Sequence, residues 1–145
     1  MQVRQILRNK GSDVISIQSD ATLSEAARLL ARKRIGAVVV KDAGGSLAGI
    51  LSERDVVRAV SSDSVAALAR PVGVYMTRAV ATCSEIDTVD ELMEMMTNGR
   101  FRHVPVLDDK EELIGIVSIG DVVKTRIEKT VREAANLREY IAAAG

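Results

Sequence analysis

Apolar residues recur along the chain in two rhythms, and each rhythm is used twice. Leu23, Ala26, Ala27, Leu29 and Leu30 fall at the spacing that gathers side chains on one helix face. Leu92, Met93, Met95 and Met96 repeat that pattern later, and the methionines read as core filler. Thr-x-x-Glu precedes each run, at Thr22–Glu25 and Thr88–Glu91. In such a capping box the threonine oxygen accepts from the helix amide three residues on, and the glutamate reaches back. Gly99 is expected to close the second helix as its left-handed residue. The second rhythm is that of strands. Ala37–Lys41 and His103–Leu107 are rich in β-branched residues, and each is followed by a polar turn ("DAGGS", "DDKEE") and a further strand, Leu47–Leu51 or Leu113–Val117. Each pair predicts a hairpin. A short strand is expected before each capping box, at Val14–Ile17 and Val80–Cys83, and a helix is expected to open at Ser52 and at Ser118.

These elements are copies of one unit. Sliding the sequence by 66 residues (88 − 22 = 66, Thr88 over Thr22) lays "TLSEAARLL" on "TVDELMEMM", "AVVVKD" on "HVPVLD" and "LAGILSERDVV" on "LIGIVSIGDVV". Two copies of a β-α-β-β-α unit predict an α+β pseudo-twofold pair; a solenoid needs about three repeats. "VRQIL" and "VGVYM" add a short lead-in to each copy. The expected divisions are a first repeat with its lead-in over 1–62, a connector with the second lead-in over 63–79, a second repeat over 80–127 and a C-terminal extension over 128–145. Val123, Ile127, Val131, Ala134, Leu137 and Ile141 form one apolar stripe on that last helix.

Composition narrows the function. Twenty Lys and Arg balance twenty Asp and Glu, and aromatic residues are scarce, so neither the charge nor the stacking platform of a nucleic-acid binder is present. No apolar run is long enough for a membrane span. "MQVRQILRNKGSD" lacks a signal-peptide apolar region, so a cytoplasmic protein is expected. One cysteine excludes an internal disulfide, and one cysteine with one histidine leaves too few ligands for zinc. Cys83 aligns with Ile17 and reads as a small buried hydrophobe. His103 has no acid near it in sequence beyond Asp108 and Asp109, both in a turn, so no catalytic constellation is expected.

The ordered duplicate, with "GILSERD" and "GIVSIGD" each closing a hairpin and opening a helix, resembles a CBS-domain pair. The order "VYMT…GRFRHVPV…GIVSIGDVV" is similar to stand-alone bacterial proteins of that kind. The resemblance covers roughly residues 1–127. It implies a regulatory module, not an enzyme, that binds an adenine nucleotide (AMP, ADP, ATP or NAD, sometimes S-adenosylmethionine) in clefts between the copies. It also implies a homodimer, and a sensor of this kind would act on a further regulated protein. The rival reading is a purely structural dimerisation module whose clefts are empty or take no nucleotide.

Ser52-x-x-Asp55 and Ser118-x-x-Asp121 have two readings. Serine and aspartate at this spacing cap a helix. A carboxylate at a strand–helix junction can also accept the two hydroxyls of a ribose, being acceptor-only when ionised. The resemblance assigns Asp55 and Asp121 to ribose, and Ser52 and Ser118 to its neighbourhood. It likewise assigns Arg102 and His103 to phosphate, where charge-assisted donors are strongest, and makes Thr82 and Ser16 neighbours of phosphate or base. Ile35, Ala37 and Val39 would wall a base in one cleft, Phe101 and Pro105 in the other. Pro105 lacks an N–H and fits a sheet edge facing a ligand. The copies differ: Gly36 stands where the second has Arg102, Ala37 where it has His103, and in the first Arg54 adds a cation that could serve a phosphate while Glu53 adds an anion that works against one. The Asp121 cleft is the one expected to bind better.

Overall fold

The computed structural model describes residues 1–11 and 13–144. The first half runs α1 (Val3–Lys10), β1 (Ser16–Gln18), α2 (Leu23–Lys33), β2 (Ala37–Lys41), β3 (Leu47–Ser52) and α3 (Glu53–Asp63). A 3-10 turn over Ser64–Ala69 leads to α4 (Val72–Tyr75), β4 (Cys83–Ser84), α5 (Val89–Gly99), β5 (His103–Leu107), β6 (Leu113–Ser118) and α6 (Ile119–Ala144). Each half holds one three-stranded sheet, ordered β1-β2-β3 or β4-β5-β6. The first strand pairs parallel with the middle one, and the last pairs antiparallel as a hairpin. The α+β tandem predicted from the repeat is the observed architecture.

The lead-ins do not pack where sequence order would put them. Val3, Ile6 and Leu7 of α1 are buried in a core with Cys83, Leu92, Met96, Val104 and Val117 of the second copy. Val72 and Met76 are buried with Leu23, Leu30, Val38 and Leu51 of the first. Backbone bonds repeat the exchange. Leu23 N–H donates to the Arg70 carbonyl at 2.9 Å and Val72 N–H to the Ala21 carbonyl at 2.7 Å. Val89 N–H donates to the Met1 carbonyl and Val3 N–H to the Asp87 carbonyl, both at 2.9 Å. Each lead-in thereby satisfies one of the free amides that open the other copy's helix.

This crossing tightens the helix starts. Thr22 Oγ1 accepts from Glu25 N–H and Thr88 Oγ1 from Glu91 N–H, both at 3.1 Å. Among the described residues the glutamates return no bond, so only the threonine half of each predicted capping box forms. Gly99 is not the left-handed residue of α5. Arg100 takes that conformation, φ 57, as Arg34 does at φ 54 in the first copy. Gly99 is small for another reason: a Cβ there would collide with the Phe101 ring.

The first strands sit later than predicted, and β4 is the shorter of the two. In the first copy Val39 N–H donates to the Ile15 carbonyl at 3.2 Å. Its counterpart Pro105 has no N–H, so the matching bond to Ala81 cannot form. Pro105 is also buried on the central strand, opposite Ile116, not on an edge facing a ligand. No helix among the described residues is long and apolar enough to cross a membrane.

The crossing depends on two glycines. A Cβ at Gly49 would lie 2.5 Å from the Thr77 carbonyl oxygen, and one at Gly115 would lie 2.6 Å from the end of the Leu7 side chain. Backbone cannot turn aside, whereas a leucine can. Gly49→Ala is expected to cost about 1–3 kcal/mol and to lower Tm by roughly 3–10 °C. Gly115→Ala is expected to cost less. Thermal unfolding followed by circular dichroism checks both the direction and the order.

Candidate binding cleft

A cleft of about 830 Å³ opens between the copies. The β3–α3 junction builds one wall, with Ser52, Arg54, Asp55 and Arg58. Thr77, Ala79, Val80 and Ala81 and the segment Arg100–His103 build the other, and Ser118, Ile119 and Gly120 close one end at the start of α6. The cleft therefore draws both its carboxylates, Glu53 and Asp55, from the first copy, and its histidine and its aromatic ring from the second.

Asp55 is 8 % exposed, and among the described residues it is the one buried charged side chain. Its Oδ2 accepts from Ser52 N–H at 2.9 Å and from Ser52 Oγ–H at 3.1 Å. Ser52 Oγ accepts from Asp55 N–H at 3.2 Å. This is a closed capping box, so the capping reading of Ser-x-x-Asp holds in the first copy. Among the described residues Oδ1 accepts no hydrogen bond, which leaves one carboxylate oxygen for a ligand. Capping and ligation are thus compatible in one side chain.

Cations line both walls. Arg54 and Arg58 lie one turn apart on α3, the helix that carries Asp55, and Arg100 and Arg102 flank Phe101 on the other wall. Arg58 escaped the sequence reading, although its four-residue spacing from Arg54 puts both on one helix face. His103 begins β5 beside Ser118 and lays its ring across the seam, where a Cβ on Gly36 would lie 3.4 Å from the imidazole. Gly36 is thus the space that the His103 ring uses. Burial, reinforced by Lys10 and Arg102, lowers the pKa of His103, against the opposing pull of Asp121 and Glu53. The net shift favours the neutral ring.

The pseudo-equivalent site is different. Ser118 N–H donates to Asp121 Oδ2 at 2.9 Å, repeating the cap. The same oxygen also accepts from Lys10 Nζ at 2.7 Å, and Lys10 further donates to the Ile116 carbonyl at 2.9 Å. In the first copy the Ile50 carbonyl accepts instead from Thr77 N–H, at 2.8 Å. The cause is helix length. α4 stops at Tyr75, so its chain can lie against β3, whereas α1 continues to Lys10 and answers with a side chain. Asp121 is not among the residues lining the cleft, and its carboxylate already holds a cation.

Of the other residues singled out in the sequence, Phe101, Arg102, His103, Gly36 and Ser118 line the same cleft. Val39 is fully buried and Ala37 nearly so, while Ile35 packs against the first core. These three form no wall of the cleft. Ser16 pairs with Val39 inside the sheet, and Thr82 lies one residue beyond the cleft-lining Ala81. Among the described residues no cluster of metal-ligating side chains occurs.

The Lys10–Asp121 pair carries a pH signature. Burial raises the Asp121 pKa, but Lys10 and the Ser118 amide outweigh it, and the net shift is downward from 3.8. A depressed folded pKa contributes stability above the unfolded value, and that stability is lost as pH falls through the folded one. Lys10→Met is expected to raise the Asp121 titration midpoint. It should also lower Tm at neutral pH, with the gap to the parent chain closing below about pH 4. Carboxyl-carbon NMR titration and Tm against pH measure the two effects.

The CBS domain family matches residues 3–62 and again 72–128. A CBS-domain protein of Agrobacterium tumefaciens is 50 % identical, superposes with a TM-score of 0.83, and the match covers 86 % of this chain and 92 % of that one. A CBS-domain protein of Pyrobaculum aerophilum, solved in complex with AMP, is 28 % identical over 83 % of this chain and 89 % of that one, with a TM-score of 0.75. The CBS domain pair of protein MJ0100, solved with 5-methylthioadenosine and S-adenosyl-L-methionine, is 28 % identical over 89 % and 98 % of the two chains, with a TM-score of 0.79. With two matched segments, one per copy, and the same fold in its relatives, the chain belongs to the CBS-domain family and carries a tandem pair.

Proposed function

We propose that this CBS pair is a regulatory module that binds one phosphorylated adenine nucleotide per chain, in the cleft that contains Asp55. The observation that carries this reading is an uncommitted carboxylate oxygen on Asp55 in a cleft lined by four arginines, two on the helix of Asp55 and two beside Phe101, against one further carboxylate, Glu53. A carboxylate accepts ribose hydroxyls, and guanidinium groups match phosphate oxygens in a planar fork. The adenosine-containing ligands of the two solved relatives support the ligand class. The excess of arginine favours AMP, ADP, ATP or NAD over S-adenosylmethionine, whose sulfonium would bring a further positive charge into the cleft. Lys10 on Asp121 favours a single occupied cleft, in contrast to the sequence expectation that the Asp121 cleft binds better. Phe101 offers an apolar surface to the base, and Arg102 and His103 face the phosphate.

Titration calorimetry with AMP, ATP, NAD and S-adenosylmethionine tests this. One site per chain is expected for a phosphorylated ligand. Asp55→Ala should weaken binding of any ribose-bearing ligand by roughly 10- to 100-fold, the loss of one or two charge-assisted hydrogen bonds. Arg102→Ala should weaken AMP more than adenosine, and equal losses for the two would place the phosphate elsewhere. Failure of all four ligands to bind or to raise Tm would leave the structural-module reading standing. His103 is the sole histidine, so its titration is directly visible by NMR. A bound phosphate should raise its pKa, and adenosine should not.

A further inference from the structure

α6 runs 26 residues, from Ile119 to Ala144, and only its first turns touch the rest of the chain. Val122 is buried in the second core, and Arg126 is paired with Asp90 at 2.7 Å. From Val131 to Ala144 every residue is exposed. A lone helix segment of that length is marginal in water, and this one carries large apolar side chains: Ile127 is 58 % exposed, Leu137 59 % and Ile141 61 %.

The apolar positions have a finer order than a stripe. Val123, Ile127, Thr130, Ala134, Leu137, Ile141 and Ala144 follow one another at alternating steps of four and three, without a break. That is a heptad seam, with Ile127, Ala134 and Ile141 at a and the others at d. Thr130 fits it, because its hydroxyl is satisfied inside the helix by the Arg126 carbonyl at 3.0 Å. At about 100° per residue the seam lies roughly a quarter turn from the row Val122, Arg126, Lys129 that faces the domain, so it is open to a partner. In this frame Glu133 is a g residue and Arg138 an e residue. A parallel pair of helices puts Glu133 beside Arg138 of a second copy, twice by symmetry. An antiparallel pair with full overlap, a packed on d, faces Glu133 with Tyr140 and Arg138 with Val131 and forms neither ion pair.

We infer that α6 is the dimerisation element of this protein and that its occupant is the α6 of a second copy, joined as a parallel, in-register two-stranded coiled coil. The inference stands apart from the nucleotide reading, since it uses no residue of the cleft.

Sedimentation velocity on the full chain tests it. A dimer is expected at micromolar concentration, and Leu137→Lys with Ile141→Lys should halve the mass. Both side chains are exposed in the single chain, so circular dichroism should still show a cooperatively folded domain. Orientation is read by Ile141→Cys under mild oxidation. Parallel helices place the two introduced thiols in contact and give a disulfide-linked dimer. Antiparallel helices put position 141 opposite 130, about 16 Å along the axis from its counterpart, and give none. Native Cys83 does not interfere: it is buried, and burial with the nearby Asp87 pushes its thiol pKa up to about 12. A monomeric parent chain, a dimer that survives the double lysine change, or a dimer without the Ile141→Cys cross-link would each overturn the inference.

Discussion

Two backbone hydrogen bonds, made once at each end of the pair, hold the molecule in its arrangement. Leu23 to Arg70 with Val72 to Ala21, and Val89 to Met1 with Val3 to Asp87, fasten each lead-in to the copy it does not precede. The free amides at a helix start need partners, and here another part of the chain supplies them. Val3, Leu7, Val72 and Met76 then fill the opposite cores. Neither copy has a complete core without a segment from the other. The two copies that flank the cleft are consequently joined by backbone bonds as well as by side-chain packing.

A duplicated chain invites two equal sites, and three positions break the equality. Lys10 reaches Asp121, whereas α4 ends too early to send a counterpart to Asp55. Gly36 admits the His103 ring, so the histidine lies over the seam and feels charges from both sides, Glu53 as well as Asp121. Pro105 removes the ladder bond that Val39 makes, which shortens β4 and leaves the chain before it, Val80 and Ala81, to line the cleft. Each change is one residue or one helical turn. Together they give one cleft with an open carboxylate oxygen and one whose carboxylate is internally paired.

Much of this was legible in the sequence because it is local or repeated. The hairpins, the helix starts at Ser52 and Ser118 and the α+β tandem follow from periodicity and from the 66-residue offset. The lead-ins, "VRQIL" and "VGVYM", were legible only as segments, because their packing partners lie in the other copy and no local pattern records a crossing. Gly99 misled for a related reason. Its smallness serves the Phe101 ring, while Arg100 bears the positive φ. Asp55 and Asp121 have the same sequence neighbourhood, Ser-x-x-Asp-Val-Val. What separates them is a lysine more than a hundred residues from Asp121 along the chain. Ile35, Ala37 and Val39 do not line the cleft that holds Asp55, and Ala37 to Val40 are buried on both faces of β2.

α6 has one further consequence. Its first residues form the end of the cleft, and at about 1.5 Å per residue its 26 residues reach about 39 Å from there. It contains no proline and, beyond Gly120, no glycine before its end, so it has no residue that favours a kink. A rigid rod pivoted at a cleft is a lever. A tilt of about 5° at Ser118 would sweep the far end through roughly 3 Å, more than half the 5.4 Å pitch of the helix. Small adjustments around a bound molecule would therefore be read out as displacement far from it, without any change in the fold of either copy.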